Sequence, residues 1–175
     1  MPLLLLPLPQ PPAGRRALAD ALLQLGGPRQ DAEVPLRGVA VGEHLDTLRR
    51  FLDAAQRDDL EVAFECLHPD FELVPLRVGT EGAFRGHEGF RRYHADTREH
   101  YELFEPRWEM REVDERVLSW GVVHVRGRGS GVELDVPSAG IWEFRDGLIV
   151  RWQDLETKDR VLDAAGLGSR RAEFE

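Results

Sequence analysis

The chain has 175 residues, 42% of them hydrophobic and 31% charged, with a net charge of −9 and a pI near 5.2. That length and composition fit one soluble domain with a single core. The acidic balance weighs against nucleic acid and anionic membrane as partners, since both select basic surfaces.

Residues 1–40 read as a poorly ordered extension rich in proline and leucine, with one helical possibility at Arg16–Leu25. Its start, MPLLLLPLPQPP, lacks the positive charge of a targeting segment. Pro7 and Pro9 interrupt a leucine run too short to span a bilayer. A cytoplasmic location is therefore expected. The domain is expected over residues 42–167, with a tail at 168–175.

Leu45, Leu48, Phe51 and Leu52 recur at helical spacing, which predicts a helix over His44–Gln56. A second helix is predicted at Leu60–Leu67, stopped by Pro69. It holds the only cysteine, Cys66, among apolar neighbours, so an inert core thiol is expected rather than a nucleophile. No intramolecular disulfide or cysteine-based metal site can form from it. A short strand follows at Phe71–Leu76. A third helix, Gly86–His100, carries Phe90, Tyr93, His94 and Thr97 on one face.

Four strands come next: Trp108–Val113, Val117–Arg126, Val132–Phe144 and Leu148–Leu155. Glycine turns at Gly127–Gly131 and Arg145–Gly147 join the last three. Thr157 is placed to cap a final helix, Asp159–Ala165, which Gly166 ends. Helices early and strands late predict an α+β domain with helices packed on one face of a curved antiparallel sheet. A doubly wound parallel sheet would need helices between the late strands, and the sequence has none there.

The pieces LRRFLDAAQRDDLEVAFECLHPDFEL (Leu48–Leu73), FRGHEGFRRYHAD (Phe84–Asp96), GRGSGVELDV (Gly127–Val136), WEFRDGLIVRWQD (Trp142–Asp154) and VLDAAGL (Val161–Leu167) occur in an order that resembles the nuclear transport factor 2-like superfamily, and within it the SnoaL-like domains. The resemblance implies a cone: a curved antiparallel sheet with three N-terminal helices on it, a pocket between them, and often a homodimer formed through the sheet. It does not settle function, because the same fold serves isomerases, cyclases, hydrolases, dehydratases and binders. Aligned on it, Phe51, Val74 and Gly140 stand where a ketosteroid isomerase-like site needs a tyrosine and two acids. A phenyl ring, an isopropyl group and a hydrogen can neither carry protons nor stabilise an enolate, so steroid isomerisation is disfavoured. The Asp–Arg–Asp set of an epoxide hydrolase-like site is also missing around Arg126 and Arg128.

Two positions gain interest. The resemblance places His94 at a pocket position of the third helix. It also turns the face of the last strand that holds Trp152 and Asp154 into the cone, with Trp142 beside it on the neighbouring strand. Asp154 under an indole would be desolvated towards a useful pKa and act as acid–base group; the alternative is a strand-end carboxylate paired with arginine or exposed at the sheet edge. His94 is either a general base, donor or ligand anchor, or a helix histidine bonded to a backbone carbonyl. Tyr93, Trp142 and Trp152 would form the ligand-binding walls. Trp120 and His124 join them only if the register of their strand turns them inward, which the loop at Gly127–Gly131 decides.

His87 and His94 alone make no metal site, the glycine cluster lacks a phosphate-loop lysine, and Lys158, the only lysine, sits at a helix start. No metal and no cofactor are expected. The expected partner is a small, largely apolar molecule, held by a cofactor-independent isomerase, cyclase or hydratase or by a non-catalytic binding domain.

Overall fold

A computed structural model describes residues 42–76 and 82–175; the extension before Gly42 lies outside the described residues. The chain runs α1 (Glu43–Gln56), α2 (Leu60–Glu65), β1 (Leu67–Val74), β2 (Phe84–Arg85), α3 (Gly86–His100), β3 (Tyr101–Val113), β4 (Arg116–Gly127), β5 (Glu133–Arg145), β6 (Leu148–Leu155), α4 (Lys158–Ala164) and a final 3-10 helix, Gly168–Phe174. The strands form one six-stranded sheet in the order β2-β1-β6-β5-β4-β3.

Local chemistry sets the helix ends. The Asp59 carboxylate accepts from the Val62 N–H and starts α2, and the Thr157 hydroxyl accepts from the Arg160 N–H and starts α4. The end of α1 is closed from a distance: Arg98 donates to the carbonyls of Ala55 and Gln56.

Two expectations about the sheet need correction. The meander β3–β6 is antiparallel, but β1 lies parallel to β6, pairing Leu73 with Trp152 and Val74 with Gln153. The sheet is therefore mixed. The pairing joins strands far apart in the chain, so no turn between them advertises its direction. The second correction concerns β3, which starts at Tyr101, well before Trp108. Pro106 looks like a strand breaker in the sequence. It is tolerated because β3 is the edge of the sheet, where a missing N–H need leave no ladder partner unmet.

The main core lies on the inner face, where Leu45, Leu48 and Phe51 of α1 and Phe90 of α3 meet Trp108, Val117, Trp142, Ile149 and Trp152. A second core lies on the other face. Leu118 and Trp120 of β4 and Ala139 and Ile141 of β5 are buried there under Val161, Leu162, Leu167 and Phe174. Helices thus cover both faces, not one. Residues 117–120 and 139–142 are buried without a break, the pattern of strands covered on two sides.

Candidate functional site

The sheet register fixes which side chains meet. Trp142 pairs with Trp152, and Gly140 with Asp154; Ser119 pairs with Gly140 and Val117 with Trp142. Val117, Ser119, Trp142, Trp152 and Asp154 therefore share the inner face, as strand alternation requires. The indoles of Trp142 and Trp152 stack with centroids 4.4 Å apart at 16°. Trp142 is fully buried, against Phe51 and Trp108, and its Nε1–H donates to Ser119 Oγ at 3.0 Å. Trp142 thus backs Trp152 from within the core and presents no surface to a ligand. Gly140 has a steric reason to be glycine: a Cβ would stand 3.2 Å from both Trp152 Nε1 and the Gln153 carbonyl oxygen.

Asp154 is half-buried at the end of β6. Its carboxyl takes hydrogen bonds from the backbone N–H groups of Leu76 and Leu155. Burial outweighs both bonds and pushes its pKa up to about 7. The Tyr93 ring of α3 meets the Trp152 ring edge-on, at 5.5 Å and 84°. Burial, and next the Asp154 charge, push the Tyr93 phenol well above its usual range, while a Thr97 hydrogen bond acts the other way. Tyr101 adds a smaller contribution to Tyr93 and is itself raised by burial. The sequence reading passed over Tyr101, although an aromatic directly after a helix and before a strand was a usable signal. It also had no means of finding the Leu76 N–H, because that bond depends on how the chain leaves β1.

The other candidates go elsewhere. His94 is buried, but Nε2 lies 2.9 Å from the Ala55 carbonyl oxygen at the end of α1, and Nδ1 lies 3.5 Å from Asp58 Oδ1. The ring ties α3 to the end of α1 through Nε2 and to the turn after it through Nδ1, the carbonyl-bonded alternative raised for it. Trp120 and His124 resolve the open register. Trp120 pairs with Ala139 and belongs to the outer core, with Lys158 Nζ 4.9 Å from its ring centre. His124 shares that parity, and its Nδ1 lies 2.7 Å from Asp135 Oδ1. Neither lines the cone beside Trp152. Cys66 is buried with its thiol bonded to the Val62 carbonyl, and burial pushes its pKa up.

Two surface grooves lie apart from Asp154. One, about 490 Å³, borders α1 and α2 at Asp46, Arg50, Glu65 and Cys66. The other, about 260 Å³, runs between α1 and β3 at Leu52, Pro106, Trp108 and Met110. Among the described residues no three His, Cys, Asp or Glu side chains are grouped to hold a metal ion. Nor is any helix among them long and apolar enough to cross a membrane.

Comparison with known proteins agrees with this architecture. The SnoaL-like domain family matches residues 48–152, more than half of the chain, and the chain belongs to that family. No sequence among the curated proteins matches it. Solved structures share the fold at low identity. An NTF2-like protein of unknown function from Burkholderia pseudomallei is 20% identical with a TM-score of 0.59, over 70% of this chain and 97% of that one. TerC, co-crystallised with polyporic acid, is 21% identical with a TM-score of 0.57, over 73% of this chain and 99% of that one. A hypothetical protein with a ketosteroid isomerase-like fold from Catenulispora acidiphila, in complex with trimethylamine, is 18% identical with a TM-score of 0.54, over 70% of this chain and 93% of that one.

Proposed function

We propose that this SnoaL-like chain binds a small, largely apolar molecule between the inner sheet face and α3, and that Asp154 is the group that handles its protons. The observation carrying this reading is a half-buried, inward-facing carboxyl beside Trp152 and Tyr93 whose pKa is pushed up to about 7. A carboxyl poised there exchanges a proton at neutral pH in both directions, as a cofactor-independent isomerase, cyclase or hydratase requires. Two solved proteins of the same fold were crystallised with small organic molecules, which supports a small organic ligand here.

The experiment is native mass spectrometry of the protein purified without refolding, alongside Asp154→Asn and Trp152→Ala. A co-purified small molecule whose occupancy drops in both variants is expected. Equal occupancy in all three proteins, or none in the native one, removes the reading. Once that molecule is known, Asp154→Asn should abolish its turnover and leave the fold intact.

A second reading, a binder without catalysis, is favoured by one observation. His94 has its ring nitrogens directed to the end of α1 and to Asp58 just after it, so Asp154 lacks a second proton-handling group at the pocket position the resemblance gives His94. Binding by the native protein with no chemical change in the ligand would select this reading.

We also propose a homodimer, and here the outer face limits the contact. The patch over Trp120 and Ile141 is covered by the chain's own C-terminal helices, which leaves the stretch around Val122, His124 and Asp135 for a partner. Sedimentation equilibrium tests it, and a monomer at tens of micromolar would overturn it.

A further inference from the structure

Several acidic side chains of the fold are paired with a guanidinium. Glu72 faces Arg85 and Arg151, Glu133 faces Arg126, Asp163 faces Arg171 and Glu65 faces Arg50. Asp154 has only two backbone N–H groups, and among the described residues no cation is paired with it.

Among the described residues, the arginines of α3 and β6, and His94, face other partners. On α3, Arg98 is spent on the α1 carbonyls, His94 on Ala55 and Asp58, and Arg91 lies over Phe64 and beside Glu88. Arg92 packs over Phe84. Tyr93 and Tyr101 stay neutral phenols. Arg151, on the same strand as Asp154, pairs with Glu72 and Glu143. Glu156, just past β6, adds no positive charge.

Next to this carboxyl stand two aromatic rings at right angles, Tyr93 and Trp152. A desolvated carboxylate without a counter-ion is unfavourable, and aromatic faces attract cations most strongly where water is excluded. We infer that the molecule this site takes is a small organic ammonium ion, its nitrogen paired with the Asp154 carboxylate and its carbon body against Tyr93 and Trp152. The inference rests on the proposed ligand site and specifies its chemistry. It also gives the raised acidity constant a use. The empty site holds a neutral carboxyl at slightly acidic pH, and the incoming cation expels that proton and supplies the missing charge.

The probe is benzylamine, with benzyl alcohol as its neutral counterpart. Both are titrated calorimetrically at pH 6 in two buffers of different ionisation enthalpy and again at pH 8, with tryptophan emission recorded in parallel. Benzylamine should bind at least about tenfold tighter than benzyl alcohol. It should release close to one proton per molecule at pH 6 and almost none at pH 8, with affinity rising roughly fivefold from pH 6 to 7 and about twofold more from pH 7 to 8. Asp154→Asn should lose the preference for the amine and the proton release. Tyr93→Leu should weaken benzylamine about fivefold with the release unchanged, which separates the ring's role from the charge's.

Benzyl alcohol binding as well as benzylamine, or equal proton release in Asp154→Asn, overturns the ammonium assignment while the ligand site stands. If neither compound binds and tryptophan emission does not move, the ammonium assignment falls, and the ligand site itself then rests on the mass-spectrometric result alone.

Discussion

Asp154 links stability to pH as well as to function. Its folded-state pKa, about 7, lies above the ordinary value of 3.8, so the folded chain holds this proton more tightly than the unfolded chain does. Between those two values the unfolded state is ionised and the folded state is not. The contribution of Asp154 to stability therefore falls as pH rises from about 4 to 7, at a limiting slope of roughly 1.4 kcal/mol per pH unit, and is flat outside that window. Asp154→Asn removes the slope. Urea unfolding of both proteins from pH 4 to 8 should show the variant relatively more stable at each step, with the largest difference at pH 8. Parallel curves would show that the carboxyl is not desolvated as described.

Gly140 gives a second prediction at the residue scale. Gly140→Ala places a methyl group 3.2 Å from Trp152 Nε1, so the indole must shift. A loss of about 1 kcal/mol is expected, with a changed near-ultraviolet circular dichroism spectrum from the Trp142–Trp152 stack.

At the level of elements, β4 carries the architecture. Its first half is buried on both faces and its second half on one. Between them Gly121 lies so close to β3 that a Cβ would sit 2.2 Å from the Arg107 carbonyl oxygen. Backbone cannot yield there as a side-chain tip can, so Gly121→Ala should cost upwards of about 3 kcal/mol or prevent folding. Thermal unfolding measures it, and a change under 1 kcal/mol would mean the two strands are not so close.

The same elements explain what could be read in the sequence. The third helix and β6 matched to the residue, because each has strong punctuation: Gly86 at the start of one, and the Asp146-Gly147 turn before the other. Alternation on β6 placed Trp152 and Asp154 together correctly. The facing of Trp120 was undecidable from its strand alone, since Val117, Leu118 and Trp120 are apolar in both parities and only the pairing with β5 sorts them. His94 and Tyr93 are adjacent on α3 and point to different neighbours, a distinction that needs the position of α1.

In the whole molecule, two cores share one sheet. The outer one depends on a short segment. Phe174 is buried against Trp120, Lys158 donates to the Phe174 carbonyl, and Arg111 donates to the Glu173 carbonyl. Ending the chain after Leu167 should expose Trp120 and lower thermal stability by several degrees. It should also promote self-association, measurable by light scattering. An unchanged melting temperature would show that the 3-10 helix adds nothing to the outer core.

That arrangement bears on how the protein is made. The strands bearing Leu118, Trp120 and Ile141 leave the ribosome before the helices that shelter them. During synthesis this chain must therefore carry a greasy, half-finished wall until its own later residues arrive to close it.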